Sequence, residues 1–275
     1  MQQRKWYNQS TYSEGRDRVA EYFESVCRAV AAALDGRVES VCFQEVTSTN
    51  DLAKQYAAEA RACDLSPRLF IAREQSAGRG RMGRSFLCRA DKGIYMSLLY
   101  YTDEKLPDVV SVTTFAALAV SESIENVTDK KMRIKWVNDV YDEHGKVSGI
   151  LVETVSLGER TGVVVGIGIN VGDEDFPDEL ASIASSVGRL GENECARLIC
   201  DTVDALITHA KRHSDRSFMD RYRSRFMLTG KHVTIISDGA VTVCGIVTGV
   251  ADDGGLLILP DGETKEVCVR TGSVR

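Results

Sequence analysis

The 275-residue sequence lacks three features, and each absence argues against a class of protein. It has no surplus of positive charge, because its 40 Asp and Glu residues outnumber its 34 Lys and Arg residues. This balance argues against a protein that coats nucleic acid. It has no apolar run long enough to cross a bilayer, and residues 1–18 lack the apolar core of a signal peptide. We therefore expect a cytoplasmic protein with no membrane or nucleic-acid partner.

Metal-binding patterns are also missing. The cysteines contain no C-x-x-C pair, which argues against zinc-ribbon and thioredoxin-type sites, and we expect buried free thiols. His209 and His213 lie four residues apart and could share a metal, but we interpret them as cationic residues that end a helix. No metal ligand is therefore predicted. The cysteines are Cys27, Cys42, Cys63, Cys88, Cys195, Cys200, Cys244 and Cys268.

The apolar pattern divides the chain into three parts. Residues 17–35 have helical spacing and reach a stop at Gly36, so residues 1–40 are predicted to be an N-terminal helical extension. Residues 41–228 mix predicted strands and helices. Residues 229–275 contain short β segments separated by Asp-Gly turns, a pattern typical of a small barrel.

The individual elements follow from local periodicity and turn signals. The further predicted helices cover residues 51–62, 109–124, 193–211 and 218–226. The predicted strands cover residues 69–72, 94–101, 133–136, 148–155 and 162–169, then 232–236, 241–250, 256–259 and 266–269.

The loop that follows the strand at 69–72 is the most informative segment. Its glycine spacing fits the dinucleotide pattern G-x-G-x-x-G and nearly fits the phosphate-binding P-loop. Both motifs require a helix directly after the glycines, whereas residues 86–93 resemble a polar loop that leads into a strand. Arginine side chains must then supply the positive charge for phosphate or carboxylate. The loop contains Gly78, Arg79, Gly80, Arg81, Gly83 and Arg84.

Polar residues recur where other predicted elements begin or end. Residues 48–50 (Ser-Thr-Asn) could cap a helix with Asp51, or could recognise a neutral polar group such as a ureido ring. Asn138-Asp139 could be simple turn residues. Lys146 opens an apolar strand in which Gly149 permits close approach, and Gly166 and Gly168 indicate tight contact in a later strand.

Together, these segments resemble the biotin protein ligases in order and spacing, from about residue 47 to residue 275. The resemblance implies an α+β fold, with a class II synthetase-like mixed β-sheet packed with helices in residues 41–228. It also implies an SH3-like β-barrel in residues 229–275. The implied reaction forms biotinyl-AMP from biotin and ATP with Mg²⁺, and then transfers biotin to a lysine of a biotin carboxyl carrier protein. The implied enzyme is a monomer or homodimer.

The resemblance also implies roles for individual residues. The biotin-binding set is Ser48, Thr49, Asn50, Gln75, Gly78, Arg79, Gly80, Arg81, Lys146 and Gly149. The ATP-binding set is Arg79, Arg81, Arg84, Phe86, Lys135, Asn138, Asp139, Lys146 and Asn170. The catalytic set is Lys146, Arg81 and Asp139, in which Lys146 would bring two anions together and Asp139 would help deprotonate the incoming amine.

Two residues depart from the family pattern, and three rival interpretations remain. Phe86 stands where many relatives have Trp, and Val137 stands where Pro is common. Because only one convincing helix precedes Thr47, we expect a monofunctional ligase without a DNA-binding domain. The rivals are a lipoate-protein ligase, a dinucleotide-binding oxidoreductase that uses residues 78–83, and a non-catalytic DNA-binding biotin sensor.

Overall fold

The computed structural model describes residues 18–60, 65–103, 108–173, 176–211, 215–237 and 239–275. Among them, the helices are α1 Arg18–Ala33, α2 Thr49–Glu59, α3 Val109–Val127, α4 Asp178–Ala181, α5 Glu192–Ala210 and α6 Met219–Arg225. The first strands are β1 Glu39–Val46, β2 Arg68–Gln75, β3 Gly93–Thr102, β4 Arg133–Lys135, β5 Asp139–Tyr141, β6 Lys146–Leu157 and β7 Arg160–Asn170. The later strands are β8 His232–Ser237, β9 Ala240–Val250, β10 Leu256–Pro260, β11 Val267–Val269 and β12 Ser273–Val274.

The first seven strands form one sheet in the order β1-β2-β3-β7-β6-β5-β4. β1 pairs with β2 in parallel, and every other neighbouring pair is antiparallel. The predicted mixed sheet and α+β class are therefore confirmed.

Helices pack on both faces of this sheet. Successive side chains of a strand point to opposite faces, so neighbouring residues of one strand show which helices lie on each side. Leu69 and Ile71 of β2 belong to the main core, which also contains side chains of α1, α3 and α5. Phe70, between them in sequence, belongs to a smaller core with Ala53 and Ala57 of α2. α2 therefore packs on the face of the sheet opposite to α1, α3 and α5, and this face carries the candidate site.

The predicted helices agree with the observed ones to within a few residues. α3 begins where expected because the Asp108 side chain accepts a hydrogen bond from the Ser111 backbone N–H, which caps the helix. α1 reaches Ala33, and Gly36 follows at φ 69°, a backbone conformation that favours glycine. Of the predicted histidine pair, His209 is buried and stacks on Phe115, whereas His213 lies outside the described residues.

One cysteine expectation was wrong. Cys27 of α1 and Cys42 of β1 form a disulfide, which joins the N-terminal helix to an edge strand. Sequence spacing does not reveal which cysteines the fold brings together. The expected free thiols are found at Cys88, Cys195, Cys200, Cys244 and Cys268, of which the first three are buried, while Cys63 lies outside the described residues.

The C-terminal strands form a second, antiparallel sheet in the order β11-β10-β9-β8-β12. Among the described residues the end strands β11 and β12 do not pair with each other, so the pairing is that of an open sheet. The sheet docks on the rest of the molecule through buried Trp136, whose indole N–H donates to the Gly254 carbonyl at 2.8 Å.

Among the helices of the described residues, none has the combination of length and apolarity that crossing a bilayer requires.

Candidate active site

An open cleft lies on the α2 face of the large sheet, with about 990 Å³ of space that includes solvent at its mouth. Its walls come from the start of α2, the end of β2, the arginine loop at residues 79–86, the β4–β5 turn, β6, β7 and the C-terminal residues 272–274. Elements that are far apart in sequence therefore meet around one space.

The floor of the cleft is built from glycines on adjacent strands. Gly149 of β6 lies opposite Gly168 of β7, and Leu151 lies opposite Gly166. A methyl group on Gly166 would come within 2.1 Å of the Asn50 Oδ1, and one on Gly168 within 2.5 Å of the Phe86 ring. The missing side chains thus let Asn50 and Phe86 approach the sheet backbone.

One end of the cleft is a buried, uncharged polar network at the start of α2. Thr49 donates to the Gln75 Oε1 from its backbone N–H at 2.8 Å and from its hydroxyl at 3.1 Å. The Ser97 hydroxyl lies 2.6 Å from the Asn50 Oδ1, and the Asn50 amide donates to the Glu153 Oε2 at 2.7 Å. The Glu153 carboxylate lies outside the cleft and pairs with the Lys54 ammonium at 2.7 Å, so the network presents uncharged donors and acceptors to the cleft.

Ser48 belongs to this end of the cleft but does not cap the helix through its side chain. It occupies the N-cap position of α2, is 3% exposed and makes no side-chain cap hydrogen bond. The capping-box interpretation is therefore not supported, because that motif requires the hydroxyl to accept from a backbone N–H of the first turn.

The other end of the cleft is positively charged. Five cationic side chains and one carboxylate, that of Asp139, line the cleft among the described residues, although the whole chain has a net charge of -6. A local surplus of this kind raises the concentration of anions at the site. The cationic residues are Arg79, Arg81, Arg84, Lys135 and Lys146.

Lys146 is held at the first position of β6. Its Nζ lies 2.8 Å from the Asp139 Oδ1 and 5.8 Å from the centre of the Phe86 ring. Its backbone N–H donates to the Ile183 carbonyl at 2.9 Å. The ammonium group therefore has a defined position between the acidic side chain and the arginine loop.

The arginines of the loop contact different parts of the site. Arg79 pairs with Asp51 of α2, and Arg84 bonds the Ser273 hydroxyl near the C-terminus. Arg81 donates to the Asn138 Oδ1 at 3.2 Å, and burial lowers its pKa from the ordinary value. Burial removes water that would otherwise solvate the guanidinium, so an anionic ligand would be a strong partner for it.

No helix opens after the glycines of this loop. Residues Arg81–Gly83 make a single 3-10 turn with Met82 at φ 55°, and residues 84–92 are irregular up to β3. The dinucleotide and P-loop matches are therefore not supported by the structure, since both motifs hold phosphate at a helix N-terminus.

The sequence of this chain is similar to those of known protein ligases. The model of the biotin/lipoate A/B protein ligase family matches residues 40–170. A biotin–acetyl-CoA-carboxylase ligase of Mycobacterium tuberculosis is 31% identical over 236 residues, which cover 82% of this chain and 85% of that protein. The chain belongs to the biotin/lipoate A/B protein ligase family.

Other members of this family match smaller parts. Bifunctional ligase/repressor BirA proteins of Bacillus spizizenii and Bacillus subtilis are 36% and 40% identical, over 55% and 44% of this chain. The chain spans 47% and 38% of the length of these two relatives.

A solved structure is also similar to this chain. It is the biotin protein ligase from Aquifex aeolicus in complex with biotin and ATP, with a TM-score of 0.71 and 26% identity, and the match covers 86% of this chain and 98% of that one.

Most residues assigned from the ligase resemblance line the cleft, and two do not. Gly78 lies at the base of the arginine loop, where its carbonyl accepts from the Phe86 N–H at 2.9 Å. Asn170 donates to the Lys146 and Ser185 carbonyls at 3.2 and 2.9 Å, so it supports the start of β6 from outside the cleft. The assigned residues that line the cleft are Ser48, Thr49, Asn50, Gln75, Arg79, Gly80, Arg81, Arg84, Phe86, Lys135, Asn138, Asp139, Lys146 and Gly149.

The assignment missed part of the wall. The apolar side chains of Met96, Trp136, Ile150 and Leu151 line the cleft, and so do residues 272–274. Trp136 and Leu151 lie within the family motifs, but the C-terminal residues carry no local signal that places them at the site.

Metal-binding groups are sparse in the described part of the chain. No cluster of three or more His, Cys, Asp or Glu that could hold a metal ion occurs there. Asp139 is the carboxylate of the cleft. A magnesium ion in such a site would depend on substrate phosphate oxygens for most of its ligands.

Proposed function

We propose that this chain is an ATP-dependent biotin protein ligase. It would form biotinyl-5'-AMP from biotin and ATP, and then transfer biotin to a lysine of a biotin carboxyl carrier protein. The observation that carries this proposal is the single cleft, in which an uncharged polar network and a cationic cluster are continuous. The names of the matched relatives support the same activity.

The uncharged end would hold the vitamin ring. A ureido group presents N–H donors and a carbonyl acceptor, which suits the Thr49, Asn50 and Gln75 side chains. The apolar side chains of Met96 and Ile150 would contact the remainder of the acid. Binding sites for small molecules commonly combine such an apolar lining with a few placed polar groups.

The cationic end would serve the first chemical step. An oxygen of the biotin carboxylate would attack the α-phosphorus of ATP, and the bond from that phosphorus to the pyrophosphate oxygen would break as the new P–O bond forms. A bound Mg²⁺ would neutralise charge on the phosphates. Carboxylate and phosphate repel each other, so Lys146 and Arg81 would lower the barrier by holding both anions. Charge stabilisation of this kind contributes about 3 kcal/mol per group.

Asp139 would serve the second step. The ε-amine of the acceptor lysine attacks the acyl carbon, the bond to AMP breaks, and the amine loses a proton. Because a free lysine has a pKa of about 10.4, a base must take up that proton. Asp139 is the carboxylate at the cationic end of the cleft.

A lipoate-protein ligase is the alternative, since the matched family model covers biotin and lipoate enzymes. A dithiolane ring offers no amide-like donors or acceptors, so it would form no hydrogen bonds with the Thr49, Asn50 and Gln75 groups that face the cleft and would displace their water. Buried polar groups that lose their partners on binding weaken the complex. This network therefore favours biotin.

Exchange of labelled pyrophosphate into ATP tests the proposal. With Mg²⁺ present, we expect exchange with biotin and only background exchange with lipoate or octanoate. A reaction without any added acid serves as the control. Exchange with lipoate but not with biotin would reverse the substrate assignment.

Finer features belong to the same proposal. We expect residues 229–275 to have an SH3-like fold and residues 41–228 to form the catalytic domain.

The resemblance favours a monomer or homodimer, and sedimentation equilibrium distinguishes the two. A cytoplasmic location stays a prediction.

A further inference from the structure

The Gln75 amide has a fixed orientation in the uncharged end of the cleft. The Thr49 backbone N–H can only donate, and it points at the Gln75 side chain at 2.8 Å, so the amide oxygen must face Thr49. The amide nitrogen then faces the opposite side. There it donates to the Cys88 Sγ at 3.0 Å.

Cys88 presents a neutral thiol to this nitrogen. The residue is 5% exposed, and burial raises the pKa of its thiol to about 12, while the hydrogen bond from Gln75 opposes that rise. A thiol that keeps its proton can donate as well as accept, and the Cys88 Sγ lies 3.4 Å from the Phe86 carbonyl. The sulfur therefore joins the Gln75 amide to the backbone of the arginine loop.

The same sulfur also fills the space beside the start of the loop. A methyl group on Gly78 would lie 2.5 Å from the Cys88 Sγ, so glycine is required for this close approach. The Phe86 N–H donates to the Gly78 carbonyl at 2.9 Å and closes the base of the loop. Cys88 thus lies against the Gln75 side chain and against the two chain segments, at Gly78 and Phe86, that form the base of the loop.

From this geometry we infer that Cys88 is a positioning residue for the acid substrate. It orients the Gln75 amide and couples that orientation to the base of the arginine loop. The inference rests on the proposed function, because it assigns Gln75 to the acid-binding end of the cleft. Cys88 itself does not line the cleft, so it acts through Gln75 and not on the substrate.

The test compares Cys88→Ala, which removes the acceptor, with Cys88→Ser, which retains a donor and an acceptor. Loss of one hydrogen bond predicts that KM for biotin rises about 5-fold in Cys88→Ala, with KM for ATP and kcat nearly unchanged. Cys88→Ser should restore KM for biotin to within about twofold of the wild-type value. Cys195→Ala is the matched control, since Cys195 is 6% exposed on α5 and lies outside the cleft.

A readout without substrate keeps this inference separate from the proposed function. In protein labelled with ¹⁵N-glutamine, the Gln75 side-chain amide protons should exchange with deuterium several-fold faster in Cys88→Ala than in wild type or Cys88→Ser. Equal exchange rates, or an equal rise in KM in Cys195→Ala, would refute the positioning role. If the wild-type enzyme showed no biotin-dependent exchange of pyrophosphate into ATP, only the proposed function would be refuted.

Discussion

Lys146 is the single residue on which the proposed chemistry most depends. Its ammonium lies 2.8 Å from Asp139, at the cationic end of the cleft. We predict that Lys146→Ala slows pyrophosphate exchange by about 100- to 1000-fold, because it removes a charge that stabilises the transition state. The protein should unfold at nearly the wild-type temperature.

The exposed Lys231 provides the control, and Lys231→Ala should exchange at the wild-type rate. Near-normal turnover of Lys146→Ala would show that the charge at this position does not assist the reaction.

A second residue-level prediction concerns a missing side chain. In Gly166→Ala, the new methyl group would lie 2.1 Å from the Asn50 Oδ1, so Asn50 must move out of its network. We predict a loss of about 1–3 kcal/mol in the free energy of unfolding, as for overpacked cores. Weaker biotin binding should accompany it, measured by calorimetry.

Gly249→Ala in β9 is the comparison, because nothing lies within 4 Å of the position of its added methyl group. If the two variants bound biotin equally well, the glycine floor would not shape the acid pocket.

At the level of elements, the turn between β5 and β6 carries Lys146 into the cleft. Asp142 is buried in this turn; its Oδ1 accepts from the backbone N–H groups of His144 and Gly145, each at 2.9 Å. Its Oδ2 accepts from Lys130 and Ser185 at 2.9 and 2.8 Å. Burial opposes ionisation, but these hydrogen bonds outweigh it and hold the pKa of Asp142 below its ordinary value.

The direction of that shift sets a pH dependence. A carboxyl group with a lowered folded-state pKa stabilises the fold above its unfolded pKa of about 3.9, and this contribution is lost as pH falls further. We predict that Asp142→Asn costs about 2 kcal/mol in the free energy of unfolding at pH 6, as for a hydrogen bond to a charged group. Near pH 3 the difference from wild type should shrink.

Urea denaturation at both pH values measures this difference, with the exposed Asp220→Asn as the control. A cost for Asp142→Asn that does not change with pH would contradict the ionised state of Asp142 in the fold.

At the scale of the whole molecule, the C-terminal sheet completes the cleft of the large one. The bond from Trp136 to the Gly254 carbonyl lies beside α3, where Gly254 at φ 83° approaches Thr114 closely. Residues 272–274 then reach the cleft, and Ser273 bonds Arg84. The two sheets should therefore bind nucleotide as one unit.

Trp136→Phe tests this coupling. It leaves the buried Gly254 carbonyl without its donor, so we predict a loss of about 1–2 kcal/mol in the free energy of unfolding. KM for ATP should rise because residues 272–274 are held less firmly. Urea denaturation and initial rates check both effects, and an unchanged KM for ATP would mean that the docking of the small sheet does not affect the nucleotide site.

Local patterns explain which elements could be predicted. α3 and α5 are long and periodic, and β3 and β7 are long apolar strands, so each was recognised from sequence. β5 and β12 have three and two residues and carry no usable period, and β1 is a partly exposed edge strand. These missed strands contain Asp139 and Ser273, both of which line the cleft.

The amino-acid sequence by itself determined the main helices and strands and the arginine loop without a following helix. Its resemblance to the biotin protein ligases implied the mixed sheet and most of the residues that line the cleft. Periodicity and turn residues are local properties, so they can be read along the chain. Only the tertiary structure decided that Cys27 bonds Cys42, that Gly78 and Asn170 lie outside the cleft, and that residues 272–274 form one of its walls. Each of these depends on contacts between distant segments, and such contacts are set by how the helices and sheets pack together.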